Sequence, residues 1–344
     1  MPIVIDGGRV PKLLSQKTRA RSERLAGNPE AIRIALINNM PDPALEDTEV
    51  QFYELLDSAA GDISLSLKLF SLPELPHSDA GRKHLHHFYF EFDDLLNSRF
   101  DGVIMTGTEP RQPDLREEPY WPALTKVLDW AETHTASTVL SCLAAHAGVL
   151  YSDDVPRHRL SDKRFGVFEH KKVRDHALTK GTGNTVQIPH SRWNELRADE
   201  LAARGYEILL QSAEAGVDLF VKKKRESLFV HFQGHPEYST RTLLKEYRRD
   251  IKRFLRKERE AYPAMPQGYF DAATAELLAT FREGVVKNPR EELLAKFPEA
   301  AVAGTLQETW QTSAASVYRN WLQYLLSKKT DASTLSAMTP AVRN

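Results

Sequence analysis

A chain of 344 residues is long enough for one large hydrophobic core or two moderate ones, and 41% hydrophobic with 27% charged residues is ordinary for a soluble globular enzyme. Forty-six basic against 47 acidic side chains leave a net charge of −1, which argues against nucleic acid or an anionic membrane as the main partner. No apolar run reaches the ~20 residues of a membrane span, the polar N-terminus lacks a secretory signal's apolar segment, and the single cysteine suits a reducing cytoplasm while excluding a multi-cysteine metal site.

Residues 1–30, with the charged stretch 17–24, read as a solvated N-terminal arm. From Ile32 the pattern changes. Ile32 to Asn38 is a short apolar run ending in polar residues, as a buried parallel strand does. Leu45 to Leu56 is helical in period, Ile63 to Phe70 alternates as a strand, and Phe88 to Leu96 reads as helix. Gly102 to Gly107 is a second buried strand, followed by an amphipathic helix over Tyr120 to His134, a strand over Ser137 to Ser141 and a small-residue helix from Leu143. Further strands are expected at 206–210, 217–221 and 228–232, then a helix from Thr242 to Leu255. The run Lys222 to Arg225 reads as a solvated hairpin turn between two of them. Residues 262–308 are helical and charged, and a last helix from Trp310 to Leu326 carries Val317, Trp321, Tyr324 and Leu325 on one face, a stripe suited to core or dimer contact.

Strands alternating with helices predict an α/β doubly wound, mostly parallel sheet over residues 31–258, with a helical extension (259–344) packing on the same domain. In such sheets the site gathers at the carboxyl ends of the strands, where Gly107, Cys142 and His235 all fall.

The chemistry-bearing stretch is Ser137-Thr-Val-Leu-Ser-Cys142-Leu-Ala-Ala-His146. A β-branched strand running straight into a cysteine, with small helix formers next, has the layout of a nucleophile elbow. It puts Cys142 at a helix N-terminus, where dipole and free N–H groups favour a negative charge, and offers the backbone N–H of Leu143 to an oxyanion. The bland reading is a buried, inert cysteine, and on this stretch alone the two stand about even. Downstream, Gly234-His235-Pro-Glu237 follows a strand, and Cys142, His235 and Glu237 supply a nucleophile, a base and a partner to orient the base. His146 reads as packed, and His84, His86 and His87 lack a ligand spacing, so no metal site is expected.

Several pieces together resemble the homoserine O-acyltransferases of the transsuccinylase type, which share the class I glutamine amidotransferase-like fold. They are Asn39-Met-Pro41, Phe100 to Gly107, Tyr120-Trp-Pro122, Ser137 to Cys142, Gly166 to His170, Pro189 to Arg192, Gly234 to Tyr238, Glu246 to Asp250 and Asn320 to Tyr324. The resemblance covers about Ile32 to Asp250 plus that tail. It implies Cys142 as acyl-accepting nucleophile, His235 as base, Glu237 as its partner, and Lys163, Ser191 and Arg249 as substrate-binding residues. Periodicity alone makes Arg249 a solvated charge, since it lies opposite the stripe Leu244, Tyr247, Ile251 and Leu255.

Three segments depart from the family pattern: Asp42 to Glu46 stands where lysines are usual, the charged stretch from about Tyr269 to Phe297 has no counterpart in it, and Thr108 to Pro113 is unlike the usual acyl-selecting segment. Arg111 in the last is read as a partner for a succinyl carboxylate, because arginine offers a planar fork that binds a carboxylate through two hydrogen bonds. The resemblance thus implies ping-pong transfer of succinyl from succinyl-CoA to L-homoserine in methionine biosynthesis, by a homodimeric, cytoplasmic enzyme without cofactor. The rival readings are acetyl-CoA as donor, L-serine as acceptor, an amidotransferase-like hydrolase and a non-enzymatic binding module.

Overall fold

The computed structural model describes residues 3–5 and 30–338, with side chains to residue 331. The strand β1 (Ile3–Ile5) is followed by β2 (Ile32–Ile37), α1 (Asp42–Ala60), β3 (Leu65–Phe70), α2 (Asp79–Phe88), α3 (Phe92–Leu96) and β4 (Gly102–Met105). Next come α4 (Trp121–His134), β5 (Ser137–Ser141), α5 (Leu143–Asp153), β6 (His158–Lys172) and β7 (Thr185–Glu195). The chain continues through α6 (Ala198–Ala203), β8 (Glu207–Ile208), β9 (Leu210–Ser212), β10 (Gly216–Val217), β11 (Leu219–Lys224) and β12 (Ser227–Phe232). It ends in α7 (Thr242–Leu255), α8 (Ala272–Lys287), α9 (Glu299–Ala303) and α10 (Gln311–Met338).

Eight strands form the main sheet in the order β1-β3-β2-β4-β5-β12-β11-β8. It is parallel from β1 to β12 and antiparallel at β11 and β8. The central strands β4, β5 and β12 are buried along their whole length, because helices cover both faces, and this is why they read as unbroken apolar runs. One face packs Ile34, Phe52, Leu56, Trp321 and Leu325 from β2, α1 and α10; the other packs Val103, Val127, Leu128 and Ala145 from β4, α4 and α5. The stripe read on the last helix is therefore core at Val317, Trp321 and Leu325, with Tyr324 packed at its margin.

A second, antiparallel sheet (β10-β9-β6-β7) stands beside the first and is dominated by the long β6–β7 hairpin. A third core joins β6 and α7 to the C-terminal helices through Phe165, Val167, Tyr247, Ile251, Leu278 and Trp310. At the junction Gly166 has φ 148°, and a Cβ there would lie 2.2 Å from the Gln267 carbonyl oxygen. Only glycine lets the 262–270 segment lie against β6, where Val167 N–H donates to Gln267 O at 2.8 Å and Gln267 N–H to Phe165 O at 2.9 Å.

Three local expectations are corrected. Ile3–Ile5 belongs to no solvated arm: it is a buried edge strand paired with Leu65–Leu67, while 6–29 lie outside the described residues. The helix expected over 88–96 is broken: Tyr89 N–H makes the last bond of α2, to Leu85 O, while Phe90 N–H donates to Leu69 O of β3 and the Tyr89 hydroxyl donates to Glu49 and accepts from Asn38. Lys222 to Lys224 are in β11 itself rather than in a turn, and Lys222 reaches Asp153 at 2.6 Å.

Candidate functional site

At the carboxyl end of β5 the chain turns sharply into α5. Cys142 sits on that corner with φ 52° and ψ −112°, a conformation costly for a residue with a side chain. It is held there because Cys142 N–H donates to Phe232 O of β12 at 2.8 Å and the Cys142 carbonyl accepts from Ala145 and His146 in the first turn of α5. Leu143 is the first residue of the helix, so its N–H has no acceptor within it and is available beside the sulfur. Gly107, at the end of β4, makes the corner possible: a Cβ on it would lie 2.7 Å from Leu143 Cβ and 2.8 Å from Leu143 N.

Opposite stands the loop after β12. Gly234 N–H donates to Asp218 Oδ1 at 2.6 Å, His235 N–H donates to Pro189 O at 2.8 Å, and a Cβ on Gly234 would strike Ile188, Asp218 and Pro189. That packing aims His235 at Cys142. Its Nδ1 pairs with Glu237 Oε1 at 2.8 Å, and Ser141 Oγ approaches the same oxygen at 3.5 Å. Burial by itself pushes the His235 pKa down; Cys142 and Glu237, one on each side, outweigh it and hold the imidazole well above its usual value. The three side chains named from sequence thus meet, with the imidazole between the cysteine and the carboxylate.

The second group from sequence also converges, through a residue that sequence reasoning passed over. Glu246, on α7, accepts from Ser191 Oγ at 2.5 Å and Tyr238 OH at 2.7 Å, and pairs with Lys163 Nζ at 3.3 Å and Arg249 at 3.4 Å. Asp250 adds a second carboxylate to Lys163 (3.4 Å) and Arg249 (3.3 Å). Burial alone raises the Glu246 pKa, but Lys163 and Arg249, with the hydroxyls of Ser191 and Tyr238, bring it below the ordinary value. Arg249 is on the solvent side of α7, as its period implies, yet its guanidinium bends back over the two carboxylates. Tyr238 ties the groups together: its ring stacks on His235 at 4.2 Å between centroids while its hydroxyl reaches Glu246. Trp310 Nε1 holds the Tyr238 carbonyl at 2.9 Å, so the C-terminal region braces this loop.

The remaining histidines have other partners. His146 Nε2 bonds Gln233 Oε1 at 3.0 Å inside the core, and burial takes its pKa to about 3. His84 does have a carboxylate partner, brought by the fold from α1 rather than by spacing: Glu49 Oε1, at 2.7 Å. His170, His190 and Asp218 bring possible ligand atoms within 4.8 Å of one another. Hydrogen bonds account for both rings: Arg192 Nε–H donates to His190 Nδ1 (3.2 Å), His190 Nε2 pairs with His170 Nε2 (3.2 Å), and His170 Nδ1 with Phe168 O (3.0 Å). A metal at His190 Nε2 would require Nδ1 to carry a proton against the Arg192 N–H, so the donor set does not suit one. Arg111 is in the loop after β4; its backbone N–H bonds Glu118 while its side chain is exposed.

The molecule is an α/β protein in which a cysteine on a strand-to-helix corner of a mostly parallel sheet faces a histidine–carboxylate pair. Residues 13–332 match the profile of a family described as homoserine O-succinyltransferase. Among curated relatives so named, one from Rhodopseudomonas palustris is 43% identical over 314 residues, covering 91% of this chain and 94% of the relative. Another, from Bradyrhizobium japonicum, is 46% identical over 254 residues, covering 74% and 78%. Among solved structures, a glutamine amidotransferase from Methylobacillus flagellatus aligns over 86% of this chain and 96% of its own, at 13% identity and a TM-score of 0.48. The chain belongs to the homoserine O-succinyltransferase family, whose named members are acyltransferases.

Proposed function

We propose that this chain transfers the succinyl group of succinyl-CoA to the hydroxyl of L-homoserine, in two half-reactions through a thioester on Cys142. In the first, the Cys142 sulfur attacks the thioester carbonyl, the N–H of Leu143 stabilises the oxyanion, and CoA leaves as its thiol after taking a proton from His235. In the second, His235 accepts the proton of the homoserine hydroxyl as that oxygen attacks the acyl-enzyme, and Cys142 is released. Glu237, on His235 Nδ1, keeps Nε2 facing the reacting atoms and stabilises the imidazolium, as an orienting carboxylate does.

The observation that carries this reading is the junction at Tyr238, which sets His235 against a cluster of both charges. An amino acid acceptor needs an anion for its ammonium and a cation for its carboxylate. Glu246 offers the first, and Lys163 with Arg249 the second, while Ser191 orients Glu246. A cysteine hydrolase whose substrate has no amino acid head has no use for that zwitterion site next to its base; one that hydrolyses glutamine does, and release of ammonia tells the two apart. The reading takes acyl-CoA as co-substrate with no resident cofactor and, with the resemblance, a cytoplasmic homodimer serving methionine biosynthesis. Mass spectrometry after brief exposure to succinyl-CoA tests it: one succinyl adduct is expected on Cys142, discharged by L-homoserine to the O-succinyl ester. An unmodified protein, or one that releases ammonia from glutamine instead, overturns it.

A further inference from the structure

Beside Cys142, the chain from Thr106 to Tyr120 leaves β4 and links it to α4, passing Leu143 at one end and Arg253 of α7 through Glu109. Gly107 anchors one end of it against Leu143. At the other end Tyr120 is 4% exposed, and its hydroxyl has no hydrogen-bond partner among the described residues. A buried hydroxyl left unmade costs about 1–3 kcal/mol, so such a group in a site loop points to a partner that arrives with substrate.

The second group there is Arg157, just past the end of α5. It is half-buried, reaches the Pro113 carbonyl of the same loop at 3.3 Å, and is in electrostatic range of Cys142, Glu118 and Tyr120. No carboxylate lies within ion-pair distance of it among the described residues, in contrast to Lys163 and Arg249. The nearby acid, Glu118, is buried and commits Oε1 to the N–H groups of Arg111 and Gln112, so it shapes the loop. Burial draws the Arg157 pKa down and the three neighbours draw it up; the guanidinium stays charged throughout the physiological range.

We propose that Arg157 and Tyr120 form the receptor for the terminal carboxylate of the acyl group, Arg157 by its planar fork and Tyr120 by its free hydroxyl. The inference rests on the acyl transfer through Cys142 proposed above and assigns the donor's far end. Succinyl carries its anion two methylenes beyond the thioester carbonyl, and Arg157 is the cation, without a carboxylate partner among the described residues, in electrostatic range of both Cys142 and Tyr120. Acetyl has nothing to offer them and leaves both unpaired. Arg111, whose side chain is exposed, is a gate residue at most in this arrangement.

The test measures kcat/KM for CoA release from succinyl-CoA and from acetyl-CoA in the wild type, Arg157→Gln, Arg157→Lys, Tyr120→Phe and Arg111→Gln. Loss of a charge-assisted hydrogen bond predicts a succinyl-to-acetyl ratio that falls about 10- to 100-fold in Arg157→Gln and about 3- to 10-fold in Tyr120→Phe. Arg157→Lys should restore part of the ratio. Because the readout is a ratio within one protein, a partly misfolded variant does not mimic it, and Tyr120→Phe removes only an oxygen. An equal fall with both donors, together with weaker inhibition by free CoA, assigns Arg157 to the CoA phosphates and overturns the proposal. So does a ratio that moves with Arg111→Gln and not with Arg157→Gln. A wild type that forms no succinyl adduct at all overturns the proposed function itself, whereas a wild type that does, with an unmoved ratio in Arg157→Gln, overturns this assignment alone.

Discussion

The two halves of the site are held by different means. Cys142, His235 and Glu237 are placed by backbone: a strained corner pinned to β12, a loop wedged against Pro189 and Asp218, and glycines where no Cβ fits. Lys163, Ser191 and Arg249 are placed by side chains meeting on Glu246, at the contact of β6, β7 and α7, with Arg249 in part open to solvent. A backbone-held group cannot rearrange without moving strands, so its geometry is set before substrate arrives. A side-chain cluster can exchange its internal pairs for substrate contacts of like charge, most easily at Arg249, the member open to solvent, since exposed pairs are worth about 0–1 kcal/mol each. Chemistry is expected to depend on the first half and acceptor affinity on the second.

The largest effect that would break this division comes from Cys142→Ala. It should abolish CoA release from the donor even without acceptor, because the chain has no other cysteine to carry the acyl group. CoA release that survives in the variant rules out the thioester. Next in size, His235→Ala should lose about 10²–10⁴-fold, and adding Glu237→Ala should change that little, because the orienter has no task once the base is gone. Multiplicative losses in a double-mutant cycle would show Glu237 acting separately, for instance through Ser141.

A smaller effect is expected across the divide. Glu246→Gln keeps the shape of the cluster and removes its central charge, so KM for homoserine should rise about 10- to 100-fold, the value of one or two charge-assisted bonds. The loss belongs to the second half-reaction, seen as slow discharge of a normally formed adduct. Slow formation of the adduct would mean that the Tyr238 stack transmits the change to His235, and the two halves would then be one.

The same difference explains what could be read in advance. Buried parallel strands write themselves as apolar runs, so 32–37, 102–105, 137–141 and 227–232 were legible, and with them the corner at Cys142. The elbow needs only local information: a strand, a cysteine and small helix formers. The β6–β7 sheet was not legible, because His158–Lys172 is half polar and only its middle is buried. Glu246 was hidden in a charged helix where carboxylates normally face water, and only its meeting with Lys163, 83 residues away, shows its use. The break at Tyr89 depends on Glu49 and Asn38, 40 and 51 residues distant, which no local period contains.

The smallest effect on turnover, and the sharpest probe of the backbone-held half, is expected from Asp218→Asn. Asp218 lies wholly buried behind the His235 loop, with Oδ1 on the Gly234 N–H and Oδ2 unpartnered among the described residues. Its surroundings are Arg192, His190 at 3.6 Å, His235 and Glu237. Burial raises its pKa from 3.8 to about 7, more than the Gly234 N–H, Arg192 and His235 lower it. The sign follows from proton binding. Between those two values the folded state keeps a proton that the unfolded state has released, so this group's stabilising contribution is full below pH 3.8 and is lost as pH rises to about 7. Asparagine still accepts the Gly234 N–H through its carbonyl oxygen but cannot ionise. The difference in Tm, variant minus wild type, should therefore grow in the variant's favour from pH 4 to pH 7 and be flat above pH 8, reaching a few degrees. Taking the difference cancels groups common to both proteins. A difference independent of pH means that Asp218 is charged in the fold at every pH tested, with Arg192 as its counter-ion. Any change in the pH profile of CoA release beyond that in Tm would show Asp218 tuning His235 as well as seating its loop.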